Sequence, residues 1–303
     1  MDMNEEYHGT FSSFGTQDGQ FMWPSSIAIS NSDKIYISDE LLNKITIMTT
    51  EGKFISSFGQ FGKGDGEFDG PNGLVFDNEN NLYVVDHRNG RIQVFDEEGN
   101  FIKKFSSQGI SEGNLNLPWG ITIHSDDRLY VSDWGNHRIQ EFTTKGEFIR
   151  SVGSKGDKEE NLLHPSSCAI DDIGNIYVSD WGNHKLKVYD KEGVFLCSNR
   201  GEASLSEWAK DFLNTNVEEK EARLKAKLVF ELDSFENDPF HESSHIEKLF
   251  WCPTSLTFHK GNLLIVDSSR HRIQVYNKVY NCLLYTSDAA DEGLGVDLGG
   301  RRI

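Results

Sequence analysis

A fixed 47-residue period constrains this chain more than any other feature. Pro24, Pro71, Pro118 and Pro165 are spaced by 47 residues, as are Asp39, Asp86, Asp133 and Asp180, and a fifth copy carries Pro253 and Asp267. Each unit reads alike. The proline opens a short apolar run, such as Gly73-Leu74-Val75-Phe76, and a polar turn leads to a second, such as Leu82-Tyr83-Val84-Val85-Asp86. A turn such as Trp134-Gly135-Asn136-His137 leads to Arg138-Ile139-Gln140-Glu141-Phe142, and the unit ends on a segment such as Phe54-Ile55-Ser56-Ser57-Phe58-Gly59. Four β-rich segments with period-two alternation and Gly/Asn/Asp turns describe one antiparallel four-stranded blade. A single blade has no core of its own, so neighbours must stack. The expected fold is an all-β propeller with five readable repeats.

Two segments depart from the period. Pro165 and Pro253 are 88 residues apart, 41 more than one repeat. The excess, 202–250, resembles helix more than strand. Ser204 to Glu207 and Asn216 to Glu219 have capping-box spacing, Trp208, Phe212 and Leu213 fall on one helical face, and 217–230 is rich in helix formers. Ser244-His245-Ile246-Glu247 is expected to cap a third short helix. At the other end, Cys282-Leu283-Leu284-Tyr285-Thr286-Ser287 resembles read-through of a sequencing-library adapter, so 282–303 is set apart as a foreign tail. The expected organisation is a propeller over 1–281 with a helical insertion at 202–250. Gly9-Thr10-Phe11-Ser12-Ser13-Phe14-Gly15 matches the fourth-strand pattern without three strands before it, so it is expected to complete and close the last blade.

The formal charge of −18 and pI of about 4.9 argue against a nucleic-acid partner, which would need clustered Lys and Arg. No run of about 18 apolar residues is present, so no membrane contact is expected. The start, Met1-Asp2-Met3-Asn4-Glu5-Glu6, is acidic where a secretion signal is basic and then apolar, which points to a cytoplasmic protein. Four cysteines without a Cys-x-x-Cys pair suggest neither a disulfide framework nor a zinc knuckle.

Asn136-His137-Arg138-Ile139, Asn183-His184-Lys185-Leu186 and Arg270-His271-Arg272-Ile273 resemble NHL repeats, with Asn89-Gly90-Arg91-Ile92 a variant and Asn43-Lys44-Ile45 a weaker one. The resemblance covers about 22–200 and 251–278. It implies a six-bladed, TolB-like propeller of the bacterial cytoplasmic kind, serving as an interaction platform. Enzymes of related fold are the alternative. Peptidyl-hydroxyglycine lyases place zinc-binding histidines just after the blade-opening proline, where this chain has Ser25, Asn72, Trp119, Ser166 and Thr254. Lactonases need several hard oxygen ligands, and Asn72 alone is suitably placed. Streptogramin-type lyases rely on channel His and Glu residues with no counterpart located here.

The recurrence of Asp39, Asp86, Asp133, Asp180 and Asp267 with Asn136, Asn183, Arg138 and Arg272 is read as turn architecture rather than a ligand set, because Asp and Asn fix tight turns and the basic residue pairs with the Asp. His241-Glu242-Ser243-Ser244-His245 matches a zinc-protease pattern, but Pro239 and the serines oppose the long helix that pattern needs. No catalytic residue, metal or cofactor is expected. What remains is a surface of Trp119, Trp134, Trp181, His87 and Asn72, with the acidic loop residues Asp65 and Glu67 nearby, suited to a protein, peptide or small polar ligand. Packing between blades is an equally open reading for these tryptophans.

Overall fold

The computed structural model describes residues 10–156, 158–203, 205, 207–226, 239–279 and 282–288. Among these, five four-stranded antiparallel sheets follow the repeat. Blade I comprises β1 (Pro24–Ile29), β2 (Lys34–Asp39), β3 (Lys44–Thr49) and β4 (Phe54–Phe58). Blade II comprises β5 (Pro71–Phe76), β6 (Leu82–Asp86), β7 (Arg91–Phe95) and β8 (Phe101–Phe105). Blade III comprises β9 (Pro118–Ile123), β10 (Arg128–Asp133), β11 (Arg138–Thr143) and β12 (Phe148–Val152). Blade IV comprises β13 (Pro165–Ile170), β14 (Ile176–Asp180), β15 (Lys185–Tyr189) and β16 (Phe195–Asn199). Blade V comprises β17 (Pro253–His259), β18 (Asn262–Asp267), β19 (Arg272–Val279) and β20 (Cys282–Asp288). The chain divides into two compact units, Thr10–Ile170 and the part from Asp171 onward. No helix among the described residues is long and apolar enough to cross a membrane.

The period fixes register as well as spacing. Pro24, Pro71, Pro118 and Pro253 stand opposite Asp39, Asp86, Asp133 and Asp267, and the ladder shifts beside each pair. Proline has no N–H to give the ladder, which is why an irregularity recurs there. Across the next hairpin each aspartate faces a basic residue: Lys44, Arg91, Arg138, Lys185 and Arg272. Blades bury their apolar faces against each other. Leu74 of β5 packs with Tyr36, Ile45 and Ile47 of blade I, and the Phe76 and Tyr36 rings meet edge-on at 4.8 Å. Ile121 and Ile123 of β9 pack in the same way on Tyr83, Val85, Ile92 and Val94 of blade II.

Among its described residues the insertion forms three helices, α1 (Glu207–Thr215), α2 (Val217–Lys225) and α3 (Pro239–His245), while 227–238, with the end of the stretch 217–230, lie outside the described residues. Two expectations about it change. The third helix starts at Pro239 and ends at His245, so Ser244 lies in its last turn and caps no helix start. Proline at the first helical position has the required φ and lacks an N–H that would be unpaired there anyway. On α1, Leu213 is buried while Phe212 is exposed, so the apolar face is narrower than expected. Helix α3 packs against the turn between β14 and β15, and Phe240 lies 5.5 Å from the His184 ring. The Arg270 guanidinium donates to the carbonyls of Ser243, Ser244 and Ile246 at the end of α3.

The N-terminal segment does not complete the last blade. That place is held by β20, paired antiparallel with β19 from Val279 opposite Cys282 to Gln274 opposite Asp288. A pairing partner next in sequence has far less loop-closure entropy to overcome than one at the opposite terminus. Residues 10–15 instead lead into blade I, where Phe14 bridges Phe21 as Phe61 bridges Phe68. The rest of the tail, 289–303, and residues 1–9 lie outside the described residues.

Candidate functional site

The repeated turn comes first, because it positions everything around it. In blade III the buried Asp133 carboxylate accepts the Asn116 N–H at 2.7 Å, Asn136 Nδ2 at 2.8 Å, Arg138 Nε at 2.8 Å and Gln140 Nε2 at 2.9 Å. Asp86 repeats this with Asp69 N–H, Asn89, Arg91 and Gln93. Asp267 takes Trp251 N–H, Arg272 and Gln274, and Asp180 takes Asn183 with Lys187 Nζ at 3.0 Å. Asp39 accepts the backbone N–H groups of Met22, Trp23, Leu41 and Leu42. Burial pushes the Asp86, Asp133 and Asp267 carboxyls above the usual aspartate range, and the donated hydrogen bonds oppose that rise.

The basic residue has a second task that spacing did not reveal. Arg91 also donates to the carbonyls of Lys63, Gly64 and Glu67, and Arg138 to those of Ser111 and Asn114. Each arginine therefore ties its own turn to the loop entering its blade. The loop tied by Arg91 carries the acidic residues Asp65 and Glu67.

The histidine of the motif sits in the left-handed region, with φ of 57° at His137, 54° at His184 and 54° at His271. Asn43 and Gly90 occupy the same repeat position at 55° and 61°. Gly, Asn and His are residue types that tolerate this conformation best. The side chain then serves as an acceptor. His137 Nδ1 accepts His164 N–H at 3.1 Å, His184 Nδ1 accepts Cys252 N–H at 2.9 Å, and Asn43 Oδ1 accepts Gly70 N–H at 2.8 Å. Burial, with His164 and Lys155 adding to it, lowers the His137 pKa to about 4. Because the unfolded chain protonates this imidazole near its ordinary value of about 6.5, the contribution is intact above that pH and lost as pH falls towards 4. His137→Asn keeps both the backbone tolerance and the acceptor, so it should cost little and flatten this acid sensitivity. His137→Ala strands a buried N–H and strains the backbone, and should cost about 1–3 kcal/mol. Thermal melts of the three proteins at pH 7 and pH 5 check both statements; equal melting temperatures throughout would refute them.

Of the residues expected at a recognition surface, the structure gathers His87, Trp119 and Trp134. The His87 and Trp119 rings lie 6.3 Å apart, Trp119 and Trp134 6.1 Å apart, and His164 stacks on Trp134 at 3.9 Å. His87 Nδ1 donates to Pro118 O at 2.9 Å, and burial lowers its pKa, so the ring is neutral at pH 7. Asn72, expected at the surface, is only 3% exposed, in the interior of blade II, where its carbonyl accepts the Ser38 hydroxyl. Trp181 belongs to the other unit, on the turn that α3 packs against. Asp65 pairs with Lys104, and Glu67 accepts Gln60 Nε2 and Gly64 N–H, so neither acid is idle. In α3 the His241 and His245 rings lie parallel at 5.8 Å, and Glu242 is paired with Arg200.

A second candidate site lay outside the expected residues. A cleft of about 350 Å³ opens between the turn and loop residues of blades I and II, lined by Trp23, Glu40, Leu41, Asn43, Phe61, Asp69 and Arg88. Trp23, Leu41 and Phe61 are exposed there. Arg88 pairs with Glu40 and lies 3.5 Å from Asp69, so one cation spans two acids. Next to Arg88 in sequence, His87 begins the aromatic row, so cleft and row share one turn.

Models of known families match three parts of the chain. The NHL repeat matches residues 115–142 and 250–276, and a family described as a 6-bladed beta-propeller (DUF5128) matches 11–105. The chain is a β-propeller that carries NHL repeats. A comparison with curated proteins finds no significant match. Among solved structures, this NHL propeller is similar to virginiamycin B lyase from Staphylococcus aureus, with TM-score 0.55 and 12% identity over 88% of this chain and 70% of that one. A chain of the nidogen/laminin complex gives TM-score 0.57 and 14% identity over 86% and 78%. A protein from Bacteroides caccae gives 0.55 and 11% over 88% and 81%. At these identities the likeness is one of fold.

Proposed function

We propose that this NHL propeller is a binding module that acts without catalysis and docks a segment of a partner protein or peptide in the cleft beside Trp23 and Arg88. The exposure of Trp23, Leu41 and Phe61 around one cleft carries this reading. Large apolar side chains left together in water mark interaction sites. The loop after Phe61 is pinned by Arg91, and Asp39 accepts the N–H groups of Trp23 and Leu41, so little ordering entropy is lost on docking. Glu40 and Asp69 share a single cation, and the whole chain is strongly acidic. The matching ligand is a segment with an apolar anchor close to Lys or Arg. One similar structure is itself a complex between two proteins, nidogen and laminin, which accords with a binding role.

A metal-dependent lyase or hydrolase draws less support. Nδ1 of His137 and of His184 already accepts a backbone N–H, and the repeated aspartates are engaged by their turns. Selection of displayed random peptides against the purified chain tests the reading. Enriched peptides should pair an apolar residue with a basic one, and their binding should weaken several-fold between low and high salt. Enrichment of acidic peptides, or salt-independent binding, would contradict it.

A further inference from the structure

Three charges of the cleft stand where the repeat asks for none. Arg88 is the second residue after its repeat aspartate, and the other blades have Leu41, Gly135, Gly182 and Ser269 at that position. Glu40 stands one residue earlier in its own turn, where the other blades have histidine, tryptophan or serine. Asp69 stands two residues before its proline, where the turn needs only a backbone N–H. The N–H groups of Met22, Asp69, Asn116 and Trp251 all reach their aspartates alike, whatever the side chain. Turn architecture therefore accounts for none of the three side-chain charges.

Arg88 also differs from Arg91, three residues on in the same turn. Arg91 is 8% exposed, pairs with Asp86 and donates to three loop carbonyls, so it belongs to the frame. Arg88 is 47% exposed, and among the described residues its guanidinium pairs with Glu40 and, at 3.5 Å, with Asp69. The second contact is long for a charge-assisted hydrogen bond, which is about 2.7–2.9 Å. Exposed ion pairs contribute little to stability, so this cation is exchanged cheaply. The floor beneath it is fixed. Asn43 Oδ1 accepts Gly70 N–H at 2.8 Å, while the carbonyls of Gly70 and Asp69 accept the N–H groups of His87 and Arg88. A Cβ on Gly70 would lie 2.5 Å from Arg88 Nη1, so its absence is what lets a guanidinium sit between the two acids.

We propose that Glu40 and Asp69 form a guanidinium subsite of the cleft, which Arg88 fills in the free protein and an arginine of the docked segment takes over. The subsite rests on the docking proposed for the cleft and names the cation that docks. Two carboxylates on separate elements, the turn after β2 and the loop entering β5, suit the planar fork of arginine better than the point charge of lysine. With Arg88 retained, the incoming guanidinium would meet a like charge; with Arg88 swung into water, it meets two acids. Arg88 thus sets the affinity of the cleft as a competitor.

The N-acetylated dipeptide amide of phenylalanine and arginine, with its lysine and citrulline counterparts, tests the subsite in titrations followed by the NMR signal of the Trp23 indole N–H. The arginine probe should bind Arg88→Ala about three- to five-fold more tightly than wild type, the gain expected from removing an exposed competing pair. The lysine probe should gain less, and the citrulline probe nothing. Arg88→Ala should melt close to wild type, since glycine fills that position in two other blades. Adding Glu40→Gln and Asp69→Asn should abolish the gain. Equal or weaker binding of the arginine probe by Arg88→Ala would overturn the subsite and leave docking in the cleft intact. If no probe moves the Trp23 signal in either protein, docking in the cleft itself fails, and the subsite with it.

Discussion

Replacing Asp133 with alanine is expected to destabilise the unit that contains it by about 3–5 kcal/mol, the usual cost of breaking a buried ion pair from one side. Four donors lose their acceptor at once: Asn116 N–H, Asn136 Nδ2, Arg138 Nε and Gln140 Nε2. Asp133 is fully buried, so water cannot readily take its place. The damage extends beyond the turn, because Arg138 also fixes the loop at Ser111 and Asn114. Asp133→Asn keeps the volume and one acceptor oxygen, and should lose about half as much. Urea titrations read both effects as a fall in midpoint at unchanged slope. A loss below about 1 kcal/mol for the alanine variant would mean that the network is not what holds the blade.

The second large effect is expected at Gly120, where inner strands come closest. A Cβ built there would lie 2.7 Å from Ser166 O and 3.0 Å from Ser167 Cα, and both are backbone atoms that cannot rotate away. Gly73 is alike, with Trp119 O at 2.8 Å and Ile121 N at 2.9 Å. Gly120→Ala should therefore push two blades apart and cost about 3 kcal/mol, at the upper end for overpacking by one methyl. Gly66 makes a fair control. Its φ is +78° but nothing lies within 4 Å of a Cβ there, so Gly66→Ala should cost only about 1 kcal/mol of backbone strain. Equal melting temperatures for the two variants would contradict this ranking.

The period made most of the fold legible, because proline and aspartate fall at positions where the backbone demands them. Pro71 opens β5 and Asp86 gathers the turn, and both were readable from spacing alone. The role of His137 was not read from the sequence, although His, Asn and Gly share one repeat position and tolerate positive φ. The cleft was not legible. Trp23, Leu41 and Phe61 lie at different places in the repeat and meet only because two blades bring their loops together. The sequence drew attention to Trp134 and Trp181 through their equivalence, yet the second is on a turn that a helix of the insertion packs against. The start of α3 and the pairing of β20 were missed for a shared reason. Both depend on what a segment finds to pack against, and local propensity does not report that.

Recognition at the cleft is tested most directly by titrating a selected peptide into the wild-type chain, a Trp23→Ala/Phe61→Ala double variant and a Val217→Ala control on the exposed helix α2. Aromatic anchors at an interface are commonly worth about 2 kcal/mol or more each. The double variant should therefore bind at least about ten-fold more weakly while melting close to wild type, and the control should bind unchanged. Equal affinity for all three proteins would contradict recognition in the cleft.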